Sequence, residues 1–191
     1  MFRFATTAVV LSLMSAPVLA APVSYEFDKS HSNLSFSYNH LGYSITDGRF
    51  GEWDATLTID AEAPENSSVE FVIAADSLDT FWDARDEHFK SADFFDVANY
   101  PDITFVSTEV KKISDTELEV TGDLTIKDTT VPAVLAVEIL SFGEHPMAEK
   151  QAAGFLVETT VLRSDYGMDM YTPYIGDEVS VVFSGEALIA E

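Results

Sequence analysis

The sequence predicts an all-β protein, an antiparallel barrel or sandwich, on three observations. Apolar and polar side chains alternate along most of the chain from Val23 to Phe183. Asp-, Asn-, Gly- and Pro-rich turns separate the alternating runs. Only one connection has the composition of a helix. Alternation at period two is what a strand with one buried face requires, because successive side chains point to opposite faces.

The runs follow one another closely. Val23, Tyr25 and Phe27 open the series, then Leu34, Phe36 and Tyr38, then Trp53, Ala55, Leu57 and Ile59. Val69, Phe71, Ile73 and Ala75 come next, and a strand starting at Ile103 and Phe105 runs to Val110. Leu118, Val120, Leu124 and Ile126 share one parity with Gly122, and Val131 to Ile139 repeat it. Phe155, Val157, Thr159 and Val161 follow, and Val179, Val181 and Phe183 close the list. Eight or nine strands divided by turns such as Ala63-Pro64-Glu65-Asn66 make one all-β domain, with no repeat and no linker.

The exception lies between Ser77 and Pro101. Asp83 to Lys90 is helix-friendly, and its acidic start suits the helix dipole. Phe81, Trp82, Phe89, Phe94, Phe95 and Tyr100 crowd the same connection. Long aromatic connections of this kind either plug a barrel end or line the mouth of a cavity.

Residues 1–20 read as a cleaved secretory signal, with Arg3, a short apolar run and the small-residue site Val18-Leu19-Ala20. The domain is then residues 21–191, and export is expected. No later stretch has the apolar length of a transmembrane helix. Without cysteine, the fold rests on its core alone. Lys and Arg total 10 against 33 Asp and Glu, a net charge of −23, which excludes nucleic acid as a partner.

Motifs for chemistry are sparse. His31, His40, His88 and His145 lack the spacing of a zinc motif, so neither metal nor cofactor is expected. Asp79, Asp83, Asp86 and Glu87 lack the spaced loop of a calcium site. There is neither a nucleophile elbow nor a thiol. His31, Arg163 and Asp165 are the best catalytic trio that can be drafted, and nothing in their spacing makes them meet. The residues alone describe an exported β domain whose chemistry is binding.

A family resemblance extends this reading. Asp28-Lys29-Ser30-His31-Ser32 is followed by Phe36, His40-Leu41-Gly42-Tyr43-Ser44 and Gly48-Arg49-Phe50. Ser77 to Thr80, Arg85 to Val97 and Tyr100 to Thr108 form a long central block. Thr121 to Ile126 and Arg163-Ser164-Asp165-Tyr166-Gly167-Met168 complete the order. With these pieces the chain resembles the YceI-like family of polyisoprenoid-binding proteins over essentially all of residues 23–191.

The resemblance implies a lipocalin-like antiparallel β-barrel of eight strands with an isoprenoid lipid threaded inside, a quinone or a polyprenyl phosphate. It implies a periplasmic location, in agreement with the signal-like segment, and no catalytic residue. Two positions depart from the family pattern: Asp128 stands where a turn glycine is usual, and Ala55 replaces the glycine after Trp53-Asp54. Asp tolerates a left-handed turn, so the barrel should survive, and Ala55 is expected to narrow the cavity.

Expected cavity-lining residues are Phe36, Phe50, Trp53, Phe81, Phe94, Phe95, Phe105 and Met168. Arg49, Arg85, Lys90 and Arg163 are the headgroup candidates, because they are the basic residues within the motifs. Few cations in so acidic a chain favour a neutral, quinone-like headgroup. A forty-carbon tail gains on the order of 30 kcal/mol on leaving water, but a bilayer offers the same gain, so selectivity rests on headgroup and fit. Transient membrane contact is therefore expected. A homodimer is compatible with a barrel of this size. An enzyme acting on a lipid and a filled, ligand-free stress-related barrel are the alternatives.

Overall fold

The computed structural model describes residues 21–191; the expected signal segment, residues 1–20, lies outside the described residues. Eleven strands occupy eight positions around one closed antiparallel barrel. They are β1 (Val23–Phe27), β2 (Asn33–His40), β3 (Ser44–Phe50), β4 (Trp53–Ile59), β5 (Ser68–Ala74) and β6 (Leu78–Asp79). After helix α1 (Asp83–Lys90) come β7 (Asp102–Lys112), β8 (Glu117–Ile126), β9 (Thr129–Glu144), β10 (Gln151–Leu162) and β11 (Ile175–Ile189).

The long last strand closes the ring. Its first part pairs with β2, Val181 opposite Phe36, and its end pairs with β1, Ala187 opposite Phe27. Thus β1 and β2 share one barrel position, interrupted at residues 28–32. The pairs β3/β4 and β5/β6 are interrupted likewise, at Gly51-Glu52 and at a short 3-10 turn, Ala75–Ser77. Closure leaves the barrel no open edge along most of its wall.

β7 begins at Asp102 opposite Ala74, so β6 pairs with β3 on one side and has no strand on the other. The connection carrying α1 covers that place. Phe89 and Phe95 pack on Leu78, Phe36 and Tyr38, while Phe94 packs with Ile103, Tyr166 and Met168. The expected helix thus exists and caps one barrel end. Asp86 anchors it, accepting hydrogen bonds from the Thr80 backbone N–H at 2.8 Å and from the Thr80 hydroxyl.

Two strands escape the alternation rule for physical reasons. In β3 the inward places fall to Thr46, Gly48 and Phe50 while Ile45 faces outward, so apolar content and facing disagree. β6 is two residues long and carries no pattern at all. The β8–β9 turn also differs in detail from expectation. The left-handed residue is Lys127 (φ 58°), one place before Asp128.

Inside the barrel the aromatic side chains meet at mid-height. The Phe27 ring lies edge-on to Trp53 and Phe183, with centroids 5.7 and 5.3 Å apart. Phe71 contacts Trp53 and Phe183 at 5.5 and 5.2 Å. Such edge-on pairs add modestly to the large apolar area each ring buries.

Candidate functional site: an apolar cavity along the barrel

The inward parity of the strands does not fill the barrel. A cavity of about 510 Å³ remains, within the range of roughly 300–1,000 Å³ usual for ligand pockets. It runs from Trp82, Arg85, His88 and Tyr171 at the α1 end to Leu57, Ser67 and Leu118 near the other. Its wall is almost wholly hydrocarbon and aromatic. Polar side chains border it mainly at the two ends: His40, Arg85, His88 and Arg163 near α1, and Ser67 and Ser68 opposite.

Glycines on the wall seat the aromatic rings. Gly48 lies beneath the ring of Phe36, its cross-strand partner. Gly122 lies beneath Phe105, and a Cβ there would stand 2.5 Å from the carbonyl oxygen of Val106. Absence of a side chain lets each ring lie against the sheet instead of projecting across the lumen.

Phe36, Phe50, Phe94, Phe95, Phe105 and Met168 border the cavity. Trp53 and Phe81 do not. Trp53 is buried, but the rings of Phe27, Phe71 and Phe183 border the cavity in its place, and Lys29 Nζ lies 5.6 Å from its ring centroid. Phe81 adopts a left-handed backbone (φ 65°) and is 69% exposed. Ala55 packs among the buried aromatics without bordering the cavity.

Among the basic candidates, Arg49 and Lys90 lie off the cavity. Arg49 pairs with Asp79, at 2.7 Å from Nη2 and 3.0 Å from Nε. Arg163 borders the cavity but donates inward to backbone: Nε to Gly176 at 2.8 Å, Nη1 to Met168 and to Met170 (3.0 Å), and Nη2 to Ile175 at 3.0 Å. Burial lowers its pKa, opposed by the charges of Asp177, Asp169 and Tyr38. Four of its five N–H donors are thereby committed. Arg85 differs. Its Nε and Nη2 donate to Thr80, its Nη1 makes no hydrogen bond among the described residues, and the residue borders the cavity together with His88.

The drafted trio of His31, Arg163 and Asp165 is not assembled. His31 contacts Asp28 and Glu186 near the end of β11, whereas Arg163 bonds to Ile175 and Gly176 at its start. At about 3.3 Å per residue those sites are some 30 Å apart.

Strand parity could have found Phe27, Tyr38, Phe71 and Phe155, which also border the cavity, since each belongs to an alternating run. Trp82 and His88 had no such signal, because their place follows from how α1 folds back over the barrel.

A closed eight-stranded antiparallel barrel with an apolar lumen and a helical cap is a lipocalin-like architecture. The YceI-like domain model matches residues 25–187, and the chain belongs to that family. It is 37% identical to Protein YceI of Escherichia coli O6:H1 over 179 residues, 93% of each chain. Protein YceI of Salmonella arizonae is 35% identical over the same length, again 93% of each. Among solved structures, a Campylobacter jejuni YceI protein superposes with TM-score 0.74 at 28% identity, covering 80% of this chain and 90% of that one. Burkholderia cenocepacia BcnA gives TM-score 0.76 at 23% identity, covering 84% and 99%, a likeness of fold. A polyisoprenoid binding domain from Saccharophagus degradans gives 0.60 at 16%, covering 88% and 99%.

Proposed function

We propose that this protein is an exported, non-catalytic carrier that holds an isoprenoid lipid with a neutral, quinone-like headgroup in its barrel. The apolar cavity of about 510 Å³ carries the reading. Membership of the YceI-like family agrees with this assignment, and the polyisoprenoid binding domain of Saccharophagus degradans has the same fold. Export rests on the signal-like residues 1–20.

The headgroup belongs at the α1 end in this account. Arg85, His88 and His40 border the cavity there and could meet a quinone oxygen. A pyrophosphate would want several free cations, and Arg85 alone among the four basic candidates both borders the cavity and has a nitrogen uncommitted. The filled-barrel alternative loses ground to the continuous lumen.

The same end supports membrane contact. Leu41, Tyr43, Phe81, Trp82, Tyr171 and Tyr174 are all exposed there, Tyr43 at 91%. Trp and Tyr favour the bilayer interface. The Leu41 backbone N–H donates to the Tyr174 carbonyl, joining the two loops into one rim. Solvent extraction and mass spectrometry of protein isolated without detergent test the reading. A stoichiometric isoprenoid quinone is the expected result. A lipid-free sample that also refuses added quinone would overturn it.

A further inference from the structure

We propose that Asp28, His31 and Glu186 form a binding site for one divalent transition-metal cation of the zinc class, on the outer wall of the barrel. It is separate from the lumen: none of the three residues borders the cavity.

The site arises where β1 breaks from β2. Phe27 pairs with Ala187 and Asn33 with Ser184, so residues 28–32 bulge outward against Gly185 and Glu186 of β11. The bulge is pinned by backbone. Asp28 N–H donates to the Glu186 carbonyl at 2.9 Å, and His31 N–H donates to the Asp28 carbonyl at 3.1 Å. Extra residues in one strand re-aim side chains in this way.

The donor atoms already stand at ligand spacing. His31 Nδ1 lies 2.9 Å from Asp28 Oδ2 and 3.6 Å from Glu186 Oε1, and the three ligand atoms lie within 4.8 Å of one another. Ligands at about 2.0–2.2 Å from a tetrahedral zinc are about 3.3 Å apart. One imidazole and two carboxylates leave a fourth position to water. The side chains are open to solvent, His31 at 68%, so a hydrated cation can reach them.

Ser30 orients the Asp28 carboxylate. Ser30 donates to Asp28 Oδ1 through its backbone N–H (2.8 Å) and its hydroxyl (2.6 Å), leaving Oδ2 turned to His31. His145 lies with Nε2 3.9 Å from Glu186 Oε1. Its Nδ1 accepts from the backbone N–H groups of Met147 (3.3 Å) and Ala148 (3.0 Å), which puts the proton of the neutral ring on Nε2. At 3.9 Å His145 makes no hydrogen bond to Glu186 and is a neighbour of the site, not a ligand. Hydrogen bonds such as those from Ser30 accompany metal ligands and tune their affinity. The net charge of −23 raises the local concentration of cations.

Binding puts the metal in the place of the proton on His31 Nδ1 and of its hydrogen bond to Asp28. An imidazolium releases that proton to solvent, and a neutral ring exchanges it through solvent to Nε2. In either case the bound ring is neutral with its proton on Nε2. Binding also ties the first strand position to the last across the barrel seam, so it must stabilise the folded protein. The spacing of histidines in the sequence does not reveal this, because Glu186 comes from the opposite end of the chain.

Calorimetric titration of tag-free, chelator-treated protein with zinc chloride, paired with thermal unfolding, tests the proposal. One saturable ion per chain and a raised unfolding midpoint are expected. Both should disappear in His31→Ala and in Glu186→Gln, and persist in Asp128→Asn, which changes an exposed carboxylate in the β8–β9 turn. Absence of saturable binding overturns the proposal, and so does binding that His31→Ala leaves intact. Far-UV circular dichroism of each variant separates loss of the site from loss of the fold.

Discussion

Arg163 donates from Nη2 to the backbone carbonyl of Ile175 at 3.0 Å, joining the end of β10 to the start of β11. With its bonds to Gly176, Met168 and Met170 it satisfies carbonyls of the whole connection between those strands. Arg163 is thus a structural cation at the cavity wall. Arg163→Leu should cost about 2–4 kcal/mol, since it leaves buried acceptors without donors. Arg163→Lys should recover little, because an ammonium cannot span the same fork of acceptors. Urea midpoints measure the loss, and quinone uptake by the folded fraction should survive.

The ring-on-glycine pairs predict a graded series. The atoms nearest a Cβ at Gly48 belong to the Phe36 ring, which can move into the lumen, whereas those nearest one at Gly122 include the fixed carbonyl of Val106. Gly122→Ala should therefore destabilise more than Gly48→Ala, each within the roughly 1–3 kcal/mol of overpacking. Gly48→Ala should weaken ligand uptake more than stability, because its ring moves into space the ligand needs. Denaturation and uptake measured on the same two proteins check the split.

Asp86 holds the α1 cap through buried Thr80. Asp86→Ala removes the acceptor for two donors and should cost about 1–2 kcal/mol, confined to the cap. Faster amide exchange in residues 80–97 with unchanged exchange in β8–β10 is the expected pattern, together with faster loading and release of lipid. Uniformly faster exchange would show that the cap is not a separate unit.

Alkaline pH should destabilise the protein through Tyr166. Burial, helped by the Asp165 charge, pushes its phenol up to about 12. A folded pKa above the unfolded value of about 10 favours the protonated form, so this stability is full below pH 10. It falls as pH rises from about 10 to 12, by at most roughly 2–3 kcal/mol. Tyr166→Phe should flatten that part of the stability–pH curve, measured by urea unfolding at each pH.

Much of the barrel is legible because a one-residue slip would expose every inward side chain, so alternation along β7–β11 identifies strands and faces together. β3 is not legible, since Thr46 and Gly48 hold its inward places while Ile45 points out. The positive φ at Lys127, not Asp128, shows that composition places a turn without fixing its backbone. Phe36 and Phe105 border the cavity by strand parity and register. Phe81 leaves it because a left-handed backbone at one residue turns a ring outward, and no periodicity encodes that. The basic candidates divide for a similar reason: Arg49 and Arg85 are distinguished by their partners, Asp79 and Thr80, and by which of them borders the lumen.

The central claim is that the lumen holds the lipid chain. The most direct measurement titrates the delipidated protein and a Leu135→Trp variant with a quinone bearing a short isoprenoid tail. Leu135 borders the cavity on β9, where a larger ring takes up lumen volume. The account predicts saturable one-to-one binding by the unaltered protein and at least about tenfold weaker binding, near 1.4 kcal/mol or more, by a variant that keeps the same circular dichroism. Equal binding by both proteins, or none by the unaltered one, would contradict it.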